Sequence, residues 1–378
     1  MVPRIGAVVV SWAFVFACTS SASGPASVGV SAAQACADNA QQRCAQLQAC
    51  SPTDMQLRYG SESTCVSRET NNCATALGEP LNGNTAAAVE ACAGAYAQWA
   101  CPDYLDNVSI PPACRQQLGP VVNGGSCAID GQCQSGFCGI APGSACGKCA
   151  PLPKVGASCA LLTSCGPGLA CTTDTFACVV FGVRGAACGK GAVCAAELSC
   201  VGADLAAGTQ GTCQLAGETV GAACDPTERT HAGCDRNAGL VCNTGAGEDD
   251  GGAPGAPEEA GAPEGNTAEA GATEGGATEG GADDAGTPAN VGRTCQTVVV
   301  AAAGQPCGND VGAQPVYCEA EGACTGATAT TPGICTAAAS DGAACDTVSG
   351  PGCVIPARCI GDGGTAGTCQ YSGAQSCR

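Results

Sequence analysis

Cysteine constrains this chain more than any other residue: 35 of them occur in 378 residues, running from Cys18 to Cys377. Setting Cys18 aside leaves 34, an even number that 17 bridges consume without an unpaired thiol. Such density means a fold stapled rather than packed. The rest of the composition agrees. Only 14 leucines and 7 isoleucines are present, no leucine follows Leu240, and Trp12, Phe14 and Phe16 take up three of the few aromatics. A disulfide closing a loop of roughly 15 residues removes denatured-state entropy worth about 3 kcal/mol in the chain-entropy account. Many such bridges substitute for the missing core. They also require an oxidising compartment, the periplasm, the outer envelope or the exterior.

The net charge is −19, and clustered Lys and Arg are missing, which argues against nucleic acid and anionic membrane surfaces as partners. Eleven of the 33 acidic residues lie between Glu248 and Asp284, a stretch with no Lys or Arg.

Residues 1–18 read as a signal segment. Arg4 precedes an apolar run from Ile5 to Phe16, whose 12 residues are fewer than the roughly 20 a membrane-spanning helix needs. Val15-Phe16-Ala17-Cys18 has the aliphatic and small residues that precede the acylated cysteine of a bacterial lipoprotein, with Phe16 departing from the usual small residue. Cys18 is therefore the expected lipidation site, residues 19–33 a polar tether, and the outer membrane or cell surface the expected address, with simple secretion as the alternative.

Residues 34–118 have helical texture and eight spaced cysteines. Cys36, Cys44 and Leu47 share one helical face; Gly78 and Pro80 end a second helix around Cys65–Leu77. Asn84 or Thr85 opens a third, with the stripe Val89, Cys92, Tyr96 and Trp99. This predicts a small all-α bundle of three or four helices tied by four disulfides.

After Pro120 the texture becomes a repeat, which only its period reveals. Six units of four cysteines open at Cys127, Cys159, Cys188, Cys224, Cys307 and Cys345, each with Gly-x-x-Cys. They occupy residues 119–244 and 291–378 and are expected to be small, irregular disulfide modules with short β-hairpins, each too small to fold without its bridges. Residues 245–290 interrupt the fourth unit with Gly, Ala, Glu, Pro and Thr, a composition expected to be disordered. Cys146 and Cys377 fall outside the count of four per unit; whether Cys146 or Cys149 closes the first unit stays open, as does the partner of Cys377.

Val122-Asn123-Gly124-Gly125-Ser126-Cys127, Gly131-Gln132-Cys133-Gln134-Ser135-Gly136-Phe137-Cys138 and Cys146-Gly147-Lys148-Cys149-Ala150-Pro151 carry a family resemblance. The layout resembles cysteine-rich secreted proteins and lipoproteins of myxobacterial type whose repeats are similar to the N-terminal cysteine-rich domain of Dickkopf. The resemblance implies tandem modules on an envelope protein and no particular activity. Similarity to other four-cysteine modules further implies first-to-third and second-to-fourth pairing, so that Cys159 joins Cys171 and Cys165 joins Cys178.

Chemistry-bearing patterns are sparse. Cys146-Gly-Lys-Cys149 is a redox candidate of Cys-x-x-Cys type, although it lacks the strand–helix setting that lowers a thiol pKa. One Cys-x-x-Cys and a single histidine, His231, do not make a zinc site, and His231 has no nucleophile motif beside it. Glu248-Asp249-Asp250 and Asp283-Asp284 lack the spacing of a calcium loop. The sequence therefore favours a non-enzymatic envelope protein, without cofactor or metal, serving surface structure, adhesion or binding of an extracellular or surface protein. A protease-inhibitor scaffold and an envelope thiol–disulfide protein are the alternatives.

Overall fold

A computed structural model describes residues 29–243, 293–373 and 377, apart from 142, 160–164, 173, 205–206, 226, 229–230, 312–313, 329–330, 347–349 and 362–364. Cys18 and all of the acidic segment 245–290 lie outside the described residues. Five α-helices come first and many short strands follow: α1 (Ala32–Cys50), α2 (Pro52–Tyr59), α3 (Glu62–Gly78), α4 (Ala86–Ala93) and α5 (Cys101–Leu105).

The starts of α1 to α4 are each fixed by a side chain. Ser31, Ser61 and Thr85 accept from the backbone amides of Gln34, Thr64 and Ala88 at the starts of α1, α3 and α4. Buried Ser51 ends α1 and caps α2, so two helices meet at one residue with no loop between them. Cys36, Cys44 and Leu47 form the buried face of α1. The stripe from Val89 to Trp99 is not one helix: α4 stops at Ala93, and Tyr96–Gln98 form a separate 3₁₀ turn. That break lets Tyr96, Trp99 and Tyr104 gather their rings 5.4 to 6.1 Å apart, with Trp99 Nε1 donating to Val108 O at 2.9 Å. Four bridges staple this helical hub: Cys36–Cys73, Cys44–Cys65, Cys50–Cys101 and Cys92–Cys114.

The six repeats share one plan. In the first, third, fifth and sixth, the strand through the fourth cysteine is central, with the strands through the first and third antiparallel on either side. The second and fourth keep the hairpin of third and fourth cysteines and reduce the first-cysteine strand to the bridges Ser158–Ala177 and Ala223–Thr294. Third and fourth cysteines are direct cross-strand neighbours every time, from Cys138 and Cys149 to Cys359 and Cys369. They do not bond to each other. Each first cysteine bonds the third and each second the fourth, giving Cys159–Cys171 and Cys165–Cys178 in the second repeat. Two crossed bridges with a few small or aliphatic side chains, such as Ile140 in the first repeat or Val316 in the fifth, make up the core cluster of a repeat.

The repeats are joined as well as strung together. The segment entering a repeat pairs in parallel with its second-cysteine segment at Val121–Cys133, Gly182–Cys194, Gly217–Cys234, Ala301–Cys318 and Ala339–Cys353. Every repeat also touches the hub. Gln132 Nε2 donates to Pro80 O at 2.7 Å; Gly168 faces Val108; Ala196 N donates to Asp106 Oδ2 at 2.8 Å. Gly239 lies so close to Thr53 that a Cβ there would collide with Oγ1, and Glu321 N donates to Leu57 O at 2.7 Å. Arg68 serves the sixth repeat, donating to Ile355 O and Val354 O and pairing with Asp341 at 2.7 Å.

One bridge connects different repeats. Cys146 of the first is bonded to Cys377, beyond the sixth, across a sequence separation of 231 residues. At the same seam Gly361 N donates to Gly143 O at 3.0 Å. The succession of repeats around the hub is thereby covalently closed.

Candidate functional site

A groove of about 900 Å³ lies between the hub and the second, third and fourth repeats. Asp54 of α2, Asp106 at the end of α5, Asp174, Glu197, Glu228 and Asp235 line it, and Arg236 is the one cation among its lining residues. A second groove of about 450 Å³ shares Asp54, Glu228, Cys234 and Arg236 with the first. It adds an apolar wall of Leu57, Leu240, Val241, Val298, Pro315 and Tyr317.

Several of these carboxylates also tie modules together. Asp106 holds the third repeat through the Ala196 amide, and Asp174 Oδ2 accepts from Gly191 N at 2.7 Å across the second and third repeats. Glu228 Oε2 accepts from Cys200 N at 3.0 Å, while its carbonyl accepts from Gly202 N at 2.7 Å. Glu197 differs. Its backbone sits in the left-handed region, φ 64°, and its carboxyl is pushed above the usual range by burial and by the negative charges of Asp235, Glu218 and Asp106. Asp106 is also raised, chiefly by burial, against the lowering effect of the Ala196 amide. The groove is thus a fixed array of negative charge beside an apolar wall, a surface suited to holding a cationic, partly apolar segment.

A second polar centre is buried in the hub. Tyr59 Oη donates to Glu69 Oε1 at 2.6 Å, and Arg43 pairs with Glu69 Oε2 at 3.5 Å. Burial, then the charge of Glu69, raise the Tyr59 phenol; Glu69 holds the Arg43 guanidinium protonated more firmly than usual. Tyr59 and Glu69 are buried between the helices and Arg43 reaches Glu69 from the surface, and the three bind α1, α2 and α3 together.

The structure separates the Cys-x-x-Cys candidate: Cys149 is bonded to Cys133 and Cys146 to Cys377, so the two do not form a thioredoxin-type dithiol couple. Sulfur trios such as Cys127, Cys133 and Cys138 come within 4.8 Å of one another, but every member is a disulfide sulfur rather than a thiolate ligand. His231 is exposed in the fourth repeat and lines neither groove. The grooves themselves had no sequence signature, because their residues come from the hub and four different repeats.

No family model matches the chain, and neither a curated protein nor a solved structure matches it. The fold and the grooves define a class: a cysteine-rich scaffold with a helical hub and disulfide-locked repeats, built for an oxidising, extracellular or secreted setting. Among the described residues no helix is long and apolar enough to cross a membrane.

Proposed function

We propose that the protein is a non-enzymatic envelope protein, lipid-anchored at Cys18 or secreted, that grips a cationic, partly apolar segment of an extracellular or surface protein in the joined grooves. The carrying observation is the carboxylate lining around Asp54, Glu197 and Asp235 running into the Leu240–Val298–Tyr317 wall, all on backbone immobilised by bridges. Rigid presentation of this kind lowers the ordering cost of binding. The lipobox-like Val15-Phe16-Ala17-Cys18 supports the anchor, and the composition, with no cofactor motif, supports a role in adhesion or surface structure.

A photo-crosslinking side chain at position 317, on intact cells, is expected to give one discrete adduct that Glu197→Lys abolishes. The same probe at exposed Val122 of the first repeat is expected to give none. Equal labelling at both positions contradicts the groove reading. Cys18→Ser is expected to move the protein from the membrane fraction to the soluble fraction; a mature N-terminus beyond Cys18 by mass spectrometry contradicts the anchor.

The inhibitor reading has one observation in its favour. Phe176 is half exposed at φ 48° in the short loop between the neighbouring strands of Cys171 and Cys178. A protease panel with and without Phe176→Ala decides it: inhibition lost on substitution supports a bait loop, and no inhibition by the native protein removes it.

A further inference from the structure

The bridge that closes the array differs from the others in its surroundings. In every first-to-third bridge the first cysteine is buried, and in every second-to-fourth bridge the fourth is, as Cys127 and Cys149 illustrate at 1% and 2% exposure. Three of the four hub bridges likewise contain a buried cysteine, and the fourth, Cys50–Cys101, is half-buried at both ends between α1 and α5. Cys146 is exposed and Cys377 only half-buried; Cys171 and Cys324 are exposed too, but the sulfur that attack on them would release, Cys159 or Cys307, is buried, where burial disfavours a thiolate. Disulfide exchange requires in-line approach of a thiolate to one sulfur, so access decides which bridge reacts first. Among the described residues, one backbone bond from Gly361 to Gly143 joins the seam beside the bridge, and Arg358 is close enough to Asp130 to offset part of what burial does to its carboxyl.

We propose that Cys146–Cys377 is a thiol–disulfide exchange site, attacked at Cys146 by a dithiol reductant of the envelope, and that its reduction opens the closed array while the other sixteen bridges persist. The reductant's thiolate bonds to Cys146 Sγ, the Cys146–Cys377 bond breaks, and Cys377 leaves as a thiolate that takes up a proton. The second thiol of the reductant then attacks the mixed disulfide and releases Cys146. Two electrons pass to the protein, which gains two thiols, and the reductant leaves as its own disulfide. The remaining Cys-x-x-Cys member, Cys149, stays bonded to buried Cys133 and takes no part. What changes is confined to the seam, because the first and sixth repeats keep their internal bridges and their separate contacts with Pro80 and Arg68.

The test titrates the native full-length protein with dithiothreitol, quenches with an alkylating reagent and maps labelled cysteines by mass spectrometry. Cys146 and Cys377 are expected to be labelled at a reductant concentration at least tenfold below that needed for any other pair. Earlier labelling of another pair, or labelling of all together, overturns the proposal. Glutathione in place of the dithiol is expected to leave its adduct on Cys146; an adduct on Cys377 overturns the direction of attack. In the Cys146→Ser, Cys377→Ser double variant, hydrogen exchange in 143–149 and 358–361 is expected to rise about tenfold with other segments unchanged. Exchange at the native rate there shows that the bridge does not hold the seam.

Discussion

At the scale of single residues, the hub depends on a buried carboxylate with two unlike partners. Glu69 accepts the Tyr59 hydroxyl and meets the Arg43 guanidinium, joining α1, α2 and α3 at one point. A phenol raised from its ordinary value near 10 makes stability pH-dependent in a defined direction. Above that value the unfolded chain releases the Tyr59 proton while the folded chain keeps it, so stability is intact below about pH 10 and falls as pH rises further. Tyr96 and Tyr104, both raised first by burial, add to the same loss. Tyrosinate absorbance is expected to show these three ionising only together with unfolding, and Tyr59→Phe to weaken the fold by about 1–3 kcal/mol at neutral pH by leaving Glu69 short of a donor. Free ionisation of all tyrosines near pH 10 without loss of structure contradicts this. None of it was legible in the sequence. Glu69 sits in an ordinary polar stretch of α3, and only the three-dimensional crossing of helices brings Arg43 and Tyr59 to it.

Among elements, the repeat was legible and its strand pairing only partly so. The cysteine period marks six units because spacing is a one-dimensional property. The sequence carries a second signal: glycine stands two residues before the fourth cysteine at Gly147, Gly211, Gly333 and Gly367. There the central strand passes against the third-cysteine strand, and a Cβ on Gly211 would stand 2.5 Å from Val201 O. Gly211→Ala is expected to push these strands apart and to destabilise the third repeat by about 1–3 kcal/mol, as overpacking does. The change should appear as faster hydrogen exchange in 198–201 and 211–215 and as mispaired Cys200 and Cys213 after oxidative refolding; native pairing with unchanged exchange contradicts the role given to the glycine. Five helices form where three or four are expected, because α2 and α5 are too short for periodicity to mark, and the third expected helix is broken for a physical reason. Val89, Cys92, Tyr96 and Trp99 keep helical spacing across a break, because a 3₁₀ turn after α4 displaces the stripe too little for periodicity to register.

The whole molecule is held by what the sequence left open. The partner of Cys377 could not be derived from spacing, since 231 residues separate it from Cys146 and contact between the ends depends on how all six repeats dock. The same docking forms the grooves from α2, the end of α5 and successive repeats. The insertion in the fourth repeat leaves and returns at one point: Asn243 N donates to Thr294 O at 3.2 Å beside the paired Cys242 and Cys295. Replacing Gly245–Ala289 by a short turn is therefore expected to leave thermal stability and disulfide pairing unchanged, because closing a shorter loop there differs by a small entropy. A large loss of stability would show that the segment packs on a repeat. The central claim, a helical hub with six crossed-bridge repeats closed on themselves, is tested most directly by a disulfide map of the native protein, digested without reduction and read by mass spectrometry. The map is expected to show first-to-third and second-to-fourth bridges in every repeat, four bridges inside the hub, and a Cys146–Cys377 peptide. A Cys146–Cys149 bond, or bridges shared between neighbouring repeats, would contradict it.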